Sequence, residues 1–138
     1  MNDTFAALEA SVRKEERGDP RRCKLIMLAA AGDLLAAVAR MRSMVEQNAK
    51  KQQAAVSAAI GDCVIAACRN CHANGIQFTA ALKHALVEGG HRGDALQLVQ
   101  KLIARHEDTI DYLGITATVA LAVCVDFTGA VSCRMREV

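Results

Sequence analysis

Two carboxylates stand in matching surroundings. Asp33 sits in Leu28-Ala29-Ala30-Ala31-Gly32-Asp33-Leu34-Leu35, and Asp62 in Ala59-Ile60-Gly61-Asp62-Cys63-Val64-Ile65. Each follows a glycine, and each lies three residues after an alanine, Ala30 or Ala59. Residues three apart share a helix face. Two helices therefore each offer one carboxylate a turn beyond an alanine. Taken singly, either aspartate reads as an ordinary solvated helix carboxylate, but the repeated Gly-Asp context points to a shared site. A rival chemistry lies just downstream in Cys68-Arg69-Asn70-Cys71-His72. Cys-x-x-Cys-His is the spacing that attaches c-type haem, with histidine as an axial ligand. Haem is nevertheless not expected. Attachment needs export, the large apolar and aromatic side chains of a haem pocket are scarce, and the cysteines fall in an apolar helix stripe. Cys63, Cys68, Cys71 and His72 are also zinc-type ligands, but no second Cys-x-x-Cys pair completes a site.

The elements that must position these residues read as helices. Residues 4–17 carry Phe5, Leu8 and Val12 at helical spacing. Gly18-Asp19-Pro20 stops that helix and starts the next, with Pro20 suited to a first helical position. A second helix should run from about Pro20 to the high forties, and a third from about Ala54 to Ala73. Between them, Gln47 to Gln53 is polar and reads as a loop or an exposed helix end. Asn74-Gly75 is a C-terminal stop, because both residues tolerate the left-handed conformation. A fourth helix spans about Gln77 to Glu88 and ends at Gly89-Gly90. Asp94 caps a fifth that holds Leu98, Val99, Leu102 and Ile103. Arg92-Gly93-Asp94 matches an integrin-binding tripeptide, but a turn followed by a cap explains it better. From Leu113 to Cys133 the one charge is Asp126. That length could span a bilayer, but a central carboxylate would be costly there. The segment reads instead as one or two helices buried in the core or in an oligomer interface.

The fold class that follows is all-α, a bundle of four or five helices in one domain. Its parts are an N-terminal helix (1–21), a helical core (22–92) and a C-terminal helical extension (93–138). A chain of 138 residues suits a single domain. Its apolar content is rich in alanine, with no Trp, one Tyr and three Phe. Small side chains favour close helix packing and burial against a partner, so a homo-oligomer is expected. A net charge of +2 on a mixed-sign surface is not a nucleic-acid footprint. The basic cluster Arg13, Lys14, Arg17, Arg21 and Arg22 is offset by Glu15, Glu16 and Asp19. No secretory run is visible at the N-terminus, so a cytoplasmic setting and six reduced thiols are expected.

On the two Gly-Asp segments and the Asn74-Gly75-Ile76 turn, residues 22–92 resemble the MazG-like all-α nucleotide pyrophosphohydrolases. That family carries Glu-x-x-Glu on one helix and Glu-x-x-Asp on another. Ala30-Ala31-Gly32-Asp33 stands where the first belongs, and Ala59-Ile60-Gly61-Asp62 where the second belongs. The resemblance implies Mg²⁺ held by carboxylates on facing helices, and a nucleoside triphosphate cut to monophosphate and pyrophosphate. It implies Asp33 and Asp62 as metal ligands, and Lys83 and Arg92 as phosphate-binding residues. The departures are large: Ala30 and Ala59 replace two glutamates, and Asp33 replaces a third. Two carboxylates poorly fill the coordination of a hard cation, so metal binding should be weak or absent. Either activity is lost, or Glu46, Asp108 or Asp111 rebuilds the site. The competing expectation is a non-catalytic assembly or interaction protein that kept the fold. His84, His91 and His106 are scattered and read as surface or capping residues.

Overall fold

The computed structural model describes residues 3–43 and 49–137, all of whose regular structure is helical. There are seven helices among them: α1 (Asp3–Arg13), α2 (Pro20–Ser43), α3 (Ala49–Ala73), α4 (Phe78–Glu88), α5 (Ala95–Ala104), α6 (Thr109–Ala122) and α7 (Phe127–Glu137). All-α is therefore the fold class, but the count exceeds the four or five expected. The excess lies in the apolar tail, which breaks into α6 and α7 with a bend of 106° between them. The first helix also stops at Arg13 rather than 17, and the third begins at Ala49 rather than Ala54. Residues 49–53 of the polar stretch thus belong to α3, and its first two residues lie outside the described part.

Local chemistry accounts for the ends. Pro20 opens α2, and the Asp19 carboxylate accepts from the Arg21 backbone N–H at 3.0 Å. Asp94 caps α5 as a full capping box with Gln97, and Asp108 caps α6 through the Asp111 N–H. The α3 end is a Schellman turn. Gly75 takes φ 69°, Ile76 N–H donates to Cys71 O at 2.8 Å, and Gly75 N–H to His72 O at 3.2 Å.

Four helices close a ring: α2 packs on α3, α3 on α6, α6 on α5, and α5 on α2, with the Tyr112 hydroxyl of α6 reaching across it to donate to Met27 O of α2 at 2.7 Å. α2 and α3 run antiparallel, since the Cys23 thiol lies 4.0 Å from Arg69 O while the field of Asp33 reaches Cys63. Outside the ring, α7 lies on α3 and α4 lies on α6. α1 crosses α3, α7 and the start of α4, inserting Phe5, Leu8 and Val12. Residues 50–73 are long and apolar enough to cross a bilayer, but 67% of their apolar window is buried against these neighbours.

The arrangement is repeated within the chain. α4 and α7 are both 11 residues long and start 49 residues apart, at Phe78 and Phe127. With the same spacing, α3 ends at Ala73 and α6 at Ala122. The second turn repeats the first bond for bond: Val125 N–H donates to Ala120 O at 2.9 Å, and Cys124 N–H to Leu121 O at 3.2 Å. The left-handed position is Cys124, φ 58°. Cys63 and Tyr112, also 49 apart and both wholly buried, are neighbours in the core. Equivalent residues that meet each other lie on a two-fold axis. The two helix–turn–helix units are thus related by a pseudo-two-fold, and each lays its short helix on the other's long one.

Candidate functional site

Asp62 projects from α3 where α7 passes over it. The approach is possible because residue 61 is glycine: a Cβ there would stand 2.7 Å from Ala130 O and 2.5 Å from Arg134 Cγ. Arg134 then grips Asp62 with both ends of its fork, Nε to Oδ1 at 2.9 Å and Nη2 to Oδ2 at 3.3 Å. Asp33 lies on the exposed side of α2. The two aspartates share one neighbour, the buried Cys63 thiol, on which both carboxylate fields act. Ala30 and Ala59 are 8% and 7% exposed and belong to the apolar core. A glutamate at either would bring charge into that core.

Among the described residues, the other candidate acids are engaged locally. Asp108 caps α6, and Asp111 is ion-paired with Arg105. Glu46 lies outside the described residues. No group of three or more His, Cys, Asp or Glu is arranged to hold an ion among the described residues. Mg²⁺ needs several oxygens around one point, and here one carboxylate is already neutralised by a guanidinium. The residues present do not fit the ion. Lys83 stands exposed on α4 beside Ala6 and Thr79, and Arg92 is exposed in the turn before α5. α4 packs on α6, α1 and α3 and has no contact with α2, the helix of Asp33.

The Cys68-x-x-Cys71-His72 segment ends α3. Both cysteines are buried, and burial is the main reason their thiols resist ionisation: Cys71 is pushed up to about 11 and Cys68 higher still. Cys63, fully enclosed, is pushed up to about 12 for the same reason. Protonated thiols are poor metal ligands and poor nucleophiles. His72 points away, with Nε2 3.0 Å from Glu15 O. The remaining histidines serve locally. His84 meets Glu88 and His106 bonds Ile103 O. His91 sits 3.0 Å from Lys101 Nζ, and partial burial with that neighbouring charge lowers its pKa.

Arg134 is the site residue that sequence reasoning missed. Its signal was the repeat of Phe78-Thr79-Ala80-Ala81 as Phe127-Thr128-Gly129-Ala130, which marks the tail as a second copy of the α3–α4 unit. Comparison of the chain with known protein families, curated proteins and solved structures finds no match.

Proposed function

We propose that this chain is a non-catalytic helical interaction protein, built on a scaffold of the pyrophosphohydrolase kind whose metal site has been lost. The observation that carries the reading is the Arg134 fork on Asp62, which occupies both oxygens of the better placed carboxylate. Core alanines at 30 and 59 act in the same direction. A triphosphate would meet a site with neither the cations to neutralise it nor the acids to hold them. The resemblance then describes ancestry, and nucleotide binding through Lys83 and Arg92 falls with the metal. Large apolar side chains remain on the surface: Leu25 and Ile26 on α2, Leu86 and Val87 on α4, and Leu121 on α6. Such residues fit a protein partner, and a second copy of the chain is the simplest.

Incubation with nucleoside triphosphates and Mg²⁺ or Mn²⁺ should release no pyrophosphate, and calorimetry should give no Mg²⁺ heat at concentrations up to ~1 mM. Pyrophosphate release that disappears in Asp62→Asn would return the chain to the hydrolases. Light scattering should show a species larger than one chain, and a strict monomer would remove the second copy as partner.

A further inference from the structure

The turn that joins α6 to α7 is built against the preference of its central residue. Cys124 takes φ 58°, the one non-glycine with a positive φ among the described residues. In that left-handed position a Cβ crowds the following carbonyl, a cost that glycine escapes. Val123-Cys124-Val125-Asp126 holds neither Gly nor Pro, so its side chains allow a helix to continue through it. Straightening would forfeit no backbone hydrogen bond of the turn. Cys124 N–H, now on Leu121 O, would shift to Ala120 O, and Val125 N–H, now on Ala120 O, would shift to Leu121 O. Gln53 and Asp126 hold the turn closed. Gln53 Nε2 donates from α3 to Val123 O at 3.1 Å and to Cys124 O at 3.2 Å. The Asp126 carboxylate folds back over residue 129, where a Cβ would stand 2.6 Å from its Oδ2. The equivalent turn at Asn74-Gly75 carries no such tension, since glycine occupies its left-handed position.

Beyond the turn, α7 leans chiefly on α3, then on α1, and least on α6. The slot it fills is cut for it: Gly61 admits the Ala130 backbone, Asp62 takes the Arg134 fork, and the Phe127 ring lies 5.6 Å from that of Phe5. These partners all precede the turn in the chain, so the α7 of another copy can meet each of them unchanged. We propose that α7 is exchanged between two copies of this chain. The Cys124 turn opens, α6 runs on into α7 as one helix from Thr109 to Glu137, about 43 Å long at 1.5 Å per residue, and each α7 seats in the α3 slot of the other copy. A short hinge under strain favours such an exchange, and reciprocal seating closes the pair with two-fold symmetry. The inference rests on a second copy being the partner and adds which element passes between them.

Two full-length variants test it, Asp62→Arg and Arg134→Asp, each of which sets like charges facing at its own α3–α7 crossing. In an exchanged pair made of one of each, both crossings regain opposite charges. After the two are incubated together under reducing conditions, native mass spectrometry should find the mixed dimer exceeding the two like dimers together by roughly fivefold, where random pairing gives equal amounts. The hinge gives a second reading in the otherwise native chain. Cys124→Gly relieves the closed turn and weakens the continuous helix, and it should raise the dimer dissociation constant at least about tenfold. Gln53→Ala removes the latch and should lower it. Cys124→Ser keeps the strained backbone without the thiol and should dimerise as the native chain does. Dimers of random composition, or a dissociation constant indifferent to Cys124→Gly, would overturn the exchange while leaving a second copy as partner. Strict monomers in both the native chain and Gln53→Ala would overturn both.

Discussion

The α3–α4 unit and the α6–α7 unit share one backbone plan and differ in chemistry at nearly every exposed position. The first has glycine at the left-handed turn position and the second has cysteine. The first long helix is backed by a 24-residue α2, the second by a 10-residue α5. His72, in contact with Glu15 O in the turn after α1, corresponds to Leu121, which is 80% exposed. Asp62 and Asp111 correspond as well, and each is held by an arginine, Arg134 or Arg105. What the pair teaches is that buried geometry and surface chemistry are separable. Shared core positions such as Leu82 and Val131, both wholly buried, preserve the crossing of the units while their surfaces diverge.

The thiols should separate the units most sharply. Cys63, Cys68 and Cys71 of the first are buried, whereas Cys124 and Cys133 of the second are exposed. Alkylation follows thiolate and access, so iodoacetamide at neutral pH should label the second unit at least a hundredfold faster, read by peptide mass spectrometry. Equal labelling would mean that the first unit opens readily.

Next in size is the glycine that admits the crossing helix. Gly61→Ala would drive a Cβ into the α7 backbone and should cost about 2–3 kcal/mol in denaturant melts. At Gly114 the closest atom is the movable His91 ring at 3.1 Å, with Ala85 O at 3.4 Å. Gly114→Ala should be nearly neutral, because a helical alanine regains about 1 kcal/mol over glycine. Equal costs would mean that the two crossings are equally tight.

The turns come third. Cys124→Gly should stabilise the protein by roughly 1 kcal/mol and Gly75→Ala destabilise it by a similar amount, since only glycine adopts the left-handed position without steric cost. Opposite signs in thermal melts would confirm that the turns are equivalent. The smallest effect is at the ion pair. Asp62→Asn should cost under about 1 kcal/mol, because both partners are partly exposed and water screens them. A larger loss would mark that pair as the clasp between α3 and α7.

The same two turns explain what the amino acids disclose and what they hide. Asn74-Gly75 announces its break, because glycine is the residue that a left-handed position selects, and α3 ends where expected. Val123-Cys124-Val125 makes an identical break with side chains that announce nothing. The tail therefore reads as one apolar segment, and whether it holds one helix or two is left open. Asp94 with Gln97 and Pro20 mark their helix starts for local reasons and are legible in the same way. The candidate site is less legible because its deciding contact is not local. Asp33 and Asp62 can be placed on neighbouring helices from spacing, but the arginine that claims Asp62 comes from a helix whose existence the tail conceals. Likewise, Glu9 turns to Thr79 on α4 and Glu15 to Arg69 on α3, whereas along the chain both look set to balance Arg13 and Arg17.

The exchange of short helices between the units also sets an order of events during synthesis. Asp62 meets Arg134 across 72 residues of chain. At ribosomal rates of about 5–20 residues per second, the outer face of α3 waits roughly 4–15 seconds for the helix that covers it. For that interval, the part of the chain already made presents an apolar seam along α3. A nascent chain of this design depends on α7, and premature termination before it would leave a product that chaperones must hold or proteases clear.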